Sequence, residues 1–233
     1  MKQVTKGIVL SKVNYSESSL IVSVYTLDFG IQSFLFQGGK KKASAIYPVA
    51  LVECTYYKRP ESDLAKVTEI SLYISNNQIT MNHGKMVIAY FVSAVIKACF
   101  KHGNHDVSAY TFLEGKICEL NDTNDVANFP IYFLLQLSDV LGISPQLNDK
   151  NSKFFYLEDG EFSNVVKMNA IVEEGLHVDY LQQFLSNSDL TLNTANHEIR
   201  KHALETLVRY YQIHISGFQI EQALEVIRST LYD

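Results

Sequence analysis

The period of the hydrophobic pattern changes near residue 80, and this change limits the folds open to the chain more than any other feature. Before it, apolar and β-branched residues alternate in short runs, as they do in β-strands. After it, apolar residues recur at helical spacing, as in helices packed around a core. The sequence therefore predicts an α+β protein with a β-rich domain at residues 1–80 and an all-α helical domain at residues 81–233.

Five strands are predicted in the first domain, separated by turn residues such as Gly30. They lie around Ile8–Leu10 and at Leu20–Thr26, Ile31–Gln37, Val49–Tyr57 and Ala65–Tyr73. An open sheet of this size would leave exposed edges, so we expect a closed five-stranded barrel of the OB type. An SH3-like barrel is an alternative that the pattern alone leaves open.

Helices are predicted through most of the second domain. They span His83–Phe100 and Val107–Leu120, then a helix from Asn128 with Pro130 in its first turn, and finally 168–186, 195–214 and 219–231. Between the third and fourth of these, the polar stretch at about 146–166 predicts a hairpin-like excursion that contains Phe154, Phe155 and Tyr156.

Charge is distributed unevenly between the two domains. Residues 1–80 carry nine Lys and Arg against six Asp and Glu, a net charge of +3, whereas residues 81–233 carry a net charge of −8. A polyanion is therefore expected to bind the first domain. The acidic total favours the alternative of a protein-interaction scaffold whose barrel does not bind nucleic acid.

The cysteines and the N-terminus indicate the compartment. Cys54, Cys99 and Cys118 lie far apart and form no CxxC pair, which fits a reducing cytoplasm and predicts neither a disulfide framework nor a local zinc site. Neither a signal peptide nor a membrane span is predicted. We expect a cytoplasmic protein with no membrane partner.

The segment Gly38 to Lys42 is the strongest local signal in the chain. Its two glycines let the backbone approach a ligand, and its three lysines offer ammonium groups to phosphates. It is not a nucleotide P-loop, because Phe34 and Lys41 occupy the positions of that motif's first glycine and its Ser or Thr. The alternative is a solvated barrel loop without a ligand.

Aromatic and basic residues interleave through the first domain, a pattern typical of proteins that stack single-stranded bases beside a cationic groove. Alternation along a strand places some rings in the core; Phe36 is expected there, and Tyr56 and Tyr57 cannot both face outward. We predict a nucleic-acid site in which Lys12, Lys40, Lys41, Lys42, Lys58 and Arg59 contact phosphates while Tyr15 and Tyr47 stack on bases.

No catalytic arrangement is predicted. His197 and His202 are five residues apart, about 140° around a helix, whereas the zinc-protease signature requires a spacing of four. No nucleophile elbow or distinctive carboxylate pair is present. We therefore expect no enzyme activity, cofactor, metal or small-molecule substrate, with an enzyme whose site is invisible in the sequence as a further alternative.

Several segments resemble the RecO family of recombination mediators in both order and spacing. They are Lys6–Leu10 with Tyr15–Val22, Tyr25–Gly30, Phe36–Ser44, Phe129–Leu135 with Leu141–Pro145, and Tyr210–Phe218. The resemblance implies an OB domain followed by a helical domain. It also implies a nucleoid-associated DNA-repair protein that binds and anneals single-stranded DNA, contacts single-strand-binding protein, and works with RecR to load RecA.

The chain departs from the family pattern after Pro145, where many RecO proteins carry a four-cysteine zinc site. The stretch 146–164 contains no cysteine, so we expect its aromatic residues to replace the metal's structural role. The resemblance also implies a receptor for the acidic, apolar-tipped tail of single-strand-binding protein, which requires cations beside an apolar pocket. Our candidates for that surface are Arg200, Lys201 and Arg209.

Overall fold

The structure, a computed structural model, describes residues 2–57, 64–101, 105–148, 151–187 and 195–232; the side chains of Lys42, Ser44 and Ala45 lie outside this description. Its contacts divide the chain into two compact units, residues 1–122 and 123–233. The helices that follow residue 80 up to Asp122 belong to the same unit as the strands. The domain boundary predicted at residue 80 stays a prediction.

Five strands close into a barrel in the order β1-β2-β3-β5-β4. They are β1 (Lys2–Asn14), β2 (Leu20–Thr26), β3 (Gly30–Phe36), β4 (Leu51–Tyr57) and β5 (Leu64–Leu72). All neighbours are antiparallel except β3 and β5, which are parallel. The predicted closed five-stranded barrel of the OB type is confirmed.

β1 is much longer than the predicted Ile8–Leu10 because it pairs with two neighbouring strands. Its first half, Lys2–Ile8, pairs with β4, and its second half, Gly7–Asn14, pairs with β2. The register with β2 shifts between Val9 and Ser11, at a β-bulge. Such bulges bend a strand, which lets one strand close both sides of a small barrel.

Alternate side chains of the strands fill the barrel interior. The rings of Phe34 and Tyr56 meet there edge to face, with centroids 5.2 Å apart. Phe36 is also buried, as the sequence predicts. Tyr56 points inward while Tyr57 is 45% exposed. The expectation that these two tyrosines face opposite sides is confirmed.

Three helices complete the first unit: α1 (Asn77–Met81), α2 (His83–Cys99) and α3 (Val107–Asp122). The predicted α2 and α3 are confirmed, whereas the single-turn α1 was not predicted. Asn82 caps α2, its side-chain oxygen accepting a hydrogen bond of 3.1 Å from the Lys85 N–H. The Tyr25 ring contacts Phe100, with centroids 4.9 Å apart, and so packs the barrel against the helices.

The second unit combines helices with a small sheet. Its helices are α4 (Phe129–Val140), α5 (Leu176–Asn187), α6 (His197–His214) and α7 (Glu221–Leu231), and its strands are β6 (Gln146–Leu147), β7 (Phe154–Tyr156), β8 (Glu161–Ser163) and β9 (Val172–Glu174). The sheet order is β6-β8-β7-β9. The helix predicted from residue 168 is wrong at its start, because β9 pairs with β7 there and Gly175, at φ 116°, precedes α5.

The predicted hairpin-like excursion is the β7–β8 pair. Within it the Phe155 ring stacks on Phe162 with centroids 4.2 Å apart, and it also contacts Tyr210 of α6 at 5.5 Å. Over the described residues, no cluster of His, Cys, Asp or Glu could hold a metal ion. In the same part of the chain, no helix is both long and apolar enough to cross a membrane.

Candidate nucleic-acid interface

The segment Gly38–Lys42, called the lysine segment below, follows β3 and lies largely within a short 3₁₀ helix, Gly39–Ala45. Gly38 turns the chain into it with a left-handed φ of 71°. Gly39 lies so close to Phe36 that a Cβ there would be 2.6 Å from a ring carbon. Of the glycine pair predicted to bring the backbone close to a ligand, Gly39 lies against the barrel core, whereas a Cβ at Gly38 would meet open space.

The β1–β2 turn holds the other side of this segment. The Lys40 N–H donates to the Ser18 carbonyl oxygen at 3.3 Å, so the lysine segment contacts the turn through the backbone. Within the turn, the Tyr15 N–H donates to the Ser19 carbonyl oxygen at 3.0 Å. The Tyr15 side chain is 62% exposed, as a base-stacking ring requires.

Lys12 anchors the far end of the segment. Its ammonium group donates to the Ile46 carbonyl oxygen at 2.6 Å, and the Ile46 side chain is buried in the barrel core. Lys12 and Lys40, together with Asn14, Leu20 and Ala43, line a pocket of about 230 Å³. The structure thus brings together two of the predicted phosphate-binding lysines, which are 28 positions apart in the sequence.

The remaining predicted residues of this site differ in their surroundings. Lys41 is exposed on the same 3₁₀ helix, while Lys58 and Arg59 lie outside the described residues, as does the side chain of Lys42. Tyr47 is half-buried against the barrel core. Burial raises the pKa of its hydroxyl, and the Asn76 backbone lowers it in part.

The three predicted partner-binding residues also differ. Arg200 is buried, and its Nε donates to the Asn128 side-chain oxygen at 2.9 Å. The Tyr180 hydroxyl donates to that same oxygen at 2.5 Å. Lys201 is half-buried, whereas Arg209 is mostly exposed and pairs with Glu173 of β9. Of these three residues, only Arg209 presents most of its side chain to solvent.

The prediction of partner-binding residues did not include the exposed apolar side chains on β9 and in the segments just before and after it. These side chains are large, exposed and close in sequence: Val165, Val166, Met168, Ile171, Val172 and Leu176. β9 is an edge strand of its sheet, so its outer side has no β neighbour within the described residues. Exposed apolar patches and free strand edges are features of protein-interaction surfaces.

Two models of known protein families match this chain. The family model described as Recombination protein O N terminal matches residues 1–75, and the one described as Recombination protein O C terminal matches residues 83–221. The second match alone spans more than half of the chain. The chain belongs to the RecO family.

Relatives named DNA repair protein RecO match this RecO chain over nearly its full length. The protein of Christiangramia forsetii is 28% identical over 96% of each chain. That of Flavobacterium psychrophilum is 26% identical over 96% of this chain and 97% of its own. That of Bacteroides fragilis is 27% identical over all of both chains. The resemblance predicted from short segments is confirmed.

The RecO barrel thus has two lysines lining one pocket, next to the β1–β2 turn that exposes the Tyr15 ring. Cations attract phosphate groups and rings stack on bases, and neither interaction requires a covalent step. The chemistry that this arrangement supports is the binding of a nucleic-acid strand.

Proposed function

We propose that this RecO protein is a recombination mediator that binds single-stranded DNA at the Lys12–Lys40 pocket. It anneals complementary strands and helps load recombinase onto DNA coated with single-strand-binding protein, in the cytoplasm at the nucleoid. The observation that carries the proposal is that Lys12 and Lys40 line one pocket next to a turn that exposes the Tyr15 ring.

The mechanism is electrostatic capture followed by stacking, without bond making. Ammonium groups release condensed counterions from the phosphates, and this release supplies much of the binding free energy. A strand whose phosphates are partly neutralised repels a complementary strand less strongly. Annealing follows when both strands lie near the lysine segment at once. The protein acts here as a binding surface, and we propose no enzymatic step.

A titration of a fluorescently labelled single-stranded oligonucleotide at several salt concentrations tests the DNA site. The triple variant Lys40→Ala, Lys41→Ala, Lys42→Ala is compared with the unsubstituted chain. Each lost phosphate contact lowers the slope of log affinity against log salt by about 0.7, so the triple variant loses up to about 2. The matched control is Lys97→Ala, an exposed lysine of α2 whose removal leaves the slope unchanged.

Two results would contradict this proposal. An unchanged salt slope in the triple variant removes the lysine segment from the DNA site. A lack of oligonucleotide binding by the unsubstituted chain at moderate salt favours the scaffold alternative, in which the barrel binds only proteins.

Partner binding is proposed for the second unit. Arg209 pairs with Glu173, whose strand neighbour Val172 and nearby Leu176 are exposed. A cation beside apolar side chains suits the acidic, apolar-tipped tail of single-strand-binding protein. RecR is the second protein partner that membership of the family suggests. Lys201 remains a proposed member of this surface, whereas the burial of Arg200 supports a structural role for that residue.

A further inference from the structure

One exposed ring on the barrel lies between two lysines. Tyr57, the last residue of β4, is paired directly with Lys2 of β1 and with Lys66 of β5. Side chains directly opposite one another in antiparallel strands point to the same face, with Cβ atoms about 4.5–5.5 Å apart. All three residues are exposed. The register therefore places an outward-facing ring between two ammonium-bearing side chains.

The same cross-strand row continues around the closed barrel. Lys66 is opposite Leu35, Leu35 is opposite Ile21, and Ile21 is opposite Val13. These three apolar residues are half-buried or exposed on the outside of the barrel. Val13 is adjacent to Lys12 in β1, and because neighbouring residues of a strand point to opposite faces, the Lys12 side chain lies outside this outward-facing row. The row from Lys2 to Val13 contains six residues, all of them described, and none is acidic.

The dimensions of this row suit a nucleic-acid strand. Neighbouring strands of a sheet lie about 4.8 Å apart, so the four steps from Val13 to Tyr57 cover about 19 Å of the curved outer surface. That length accommodates a few nucleotides, as expected for a barrel of this class, whose sites cover about 4–16 nucleotides. A nucleic-acid strand following the row would meet apolar side chains first and then a ring with a cation on each side.

We propose that Tyr57 is a base-stacking residue, that Lys2 and Lys66 hold the phosphates on either side of it, and that single-stranded DNA follows this outward-facing row over the surface of the barrel. This inference rests on the proposed DNA binding and adds to it the path of the strand. A strictly structural Tyr57, covered by the aliphatic stems of the two lysines, would not contact a base.

The chain contains no tryptophan, so one substitution creates a local optical probe. In Tyr57→Trp, stacking of oligothymidylate on the indole quenches the fluorescence by about half or more. The matched control is Phe29→Trp, because Phe29 is 46% exposed and Tyr57 is 45% exposed. Phe29 lies in the turn after the last residue of β2, whereas Ile21 of the row lies near the first residue of β2. The control emission changes by less than about a tenth of its value.

Affinity separates stacking from a structural role. Tyr57→Ala weakens oligothymidylate binding about 5- to 100-fold, while Tyr57→Phe, which keeps the ring, stays within about twofold of the unsubstituted chain. Lys2→Ala with Lys66→Ala lowers the salt slope by about 1.4. Circular dichroism on each variant confirms that the barrel is folded.

The outcomes distinguish this inference from the proposed function. If the unsubstituted chain binds oligothymidylate but the fluorescence at position 57 is unchanged and Tyr57→Ala binds normally, the inference is overturned and DNA binding stands. If the unsubstituted chain does not bind, both are overturned. Quenching at position 57 with a silent control at position 29 supports both.

Discussion

The ammonium group of Lys12 donates a hydrogen bond of 2.6 Å to the carbonyl oxygen of Ile46. Ile46 is buried in the barrel core, so this one cation both ties down the end of the lysine segment and lines its pocket. Lys40 lines the same pocket from an exposed position on the segment itself. Replacing Lys12 is therefore expected to lower the free energy of unfolding more than replacing Lys40.

Lys12→Ala is expected to lower the free energy of unfolding by about 1 kcal/mol, because it deletes a charge-assisted hydrogen bond to the backbone. Lys40→Ala is expected to change it by less than about 0.5 kcal/mol, as at most surface positions. Urea denaturation of both variants measures the difference. Equal stability of the two variants would show that the Lys12–Ile46 bond contributes nothing to the fold.

Gly39→Ala is expected to destabilise the barrel by about 1–3 kcal/mol and to weaken DNA binding, since the new methyl group would overlap the buried Phe36 ring. Gly38→Ala meets open space but holds a left-handed φ of 71°, at a cost of about 1 kcal/mol. Thermal unfolding and oligonucleotide titration of both variants check this order. A Gly39→Ala protein as stable as the unsubstituted chain would contradict the close contact.

Stability is expected to fall as the pH rises above about 10. Burial, with a smaller effect of the nearby Asp106 charge, raises the pKa of Tyr25 to about 12, so the unfolded chain releases this proton first. The contribution is fully present below the unfolded pKa near 10 and is lost as the pH approaches 12. Burial likewise raises the pKa of the Cys54 thiol to about 12, which adds to the same trend.

The variant Tyr25→Phe isolates the tyrosine part of this effect, because it keeps the ring beside Phe100 and removes the ionising hydroxyl. Urea midpoints measured between about pH 8 and about pH 11 should fall less steeply in the variant than in the unsubstituted chain. Identical pH profiles would mean that Tyr25 does not titrate differently in the folded state.

Asn128→Ala is expected to destabilise the second unit by about 2–4 kcal/mol, since it removes the buried oxygen that accepts from both Tyr180 and Arg200. Arg200→Leu is expected to reduce stability as well, yet to leave binding of a single-strand-binding-protein tail peptide unchanged. Chemical denaturation and peptide titration give the two readouts.

Arg209→Ala provides the opposite case, because the Arg209 side chain is 54% exposed and its partner Glu173 keeps a second contact, with His177, when Arg209 is removed. It is expected to change the free energy of unfolding by less than about 1 kcal/mol. It should weaken tail-peptide binding about 5- to 20-fold, the loss of one charge-assisted contact. Peptide binding that depends on Arg200 and not on Arg209 would reverse our assignment of the surface.

Phe155→Ala is expected to cost about 3–4 kcal/mol of unfolding free energy, because Phe155 stacks on Phe162 and contacts Tyr210. If these rings replace a metal, a chelator should leave the thermal midpoint of the unsubstituted chain unchanged. Stoichiometric zinc in the purified protein, or a midpoint that falls on chelation, would contradict this expectation.

Local patterns predicted the elements whose side chains are buried. β2 has the predicted bounds because five of its seven residues are buried and the other two are half-buried. The ends of β1 were missed, since Lys2–Val4 and Lys12–Asn14 are exposed and show no alternation although their backbone is paired. The start of α5 was misplaced because exposed residues such as Val166 and Met168 imitate the apolar spacing of a buried helix.

The residues of the candidate site could be predicted from the sequence only in part, because others come together through the register of strand pairing. Charge and glycine content indicated the lysine segment, and Lys12 with Lys40 do share a pocket. The position of Tyr57 between Lys2 and Lys66 follows from strand pairing between distant segments, which a single sequence does not reveal. The burial of Arg200 depends in the same way on Asn128, 72 residues away.

The place of β5 in the barrel has a consequence for biosynthesis. β5 is the strand that joins β3 to β4, so a nascent chain that has emerged only as far as Tyr57 presents the unpaired edges of both strands. Open edges of this kind invite pairing with other chains. Once residues 64–72 have emerged from the ribosome, β5 can cover both edges, and the barrel is then protected from this kind of aggregation.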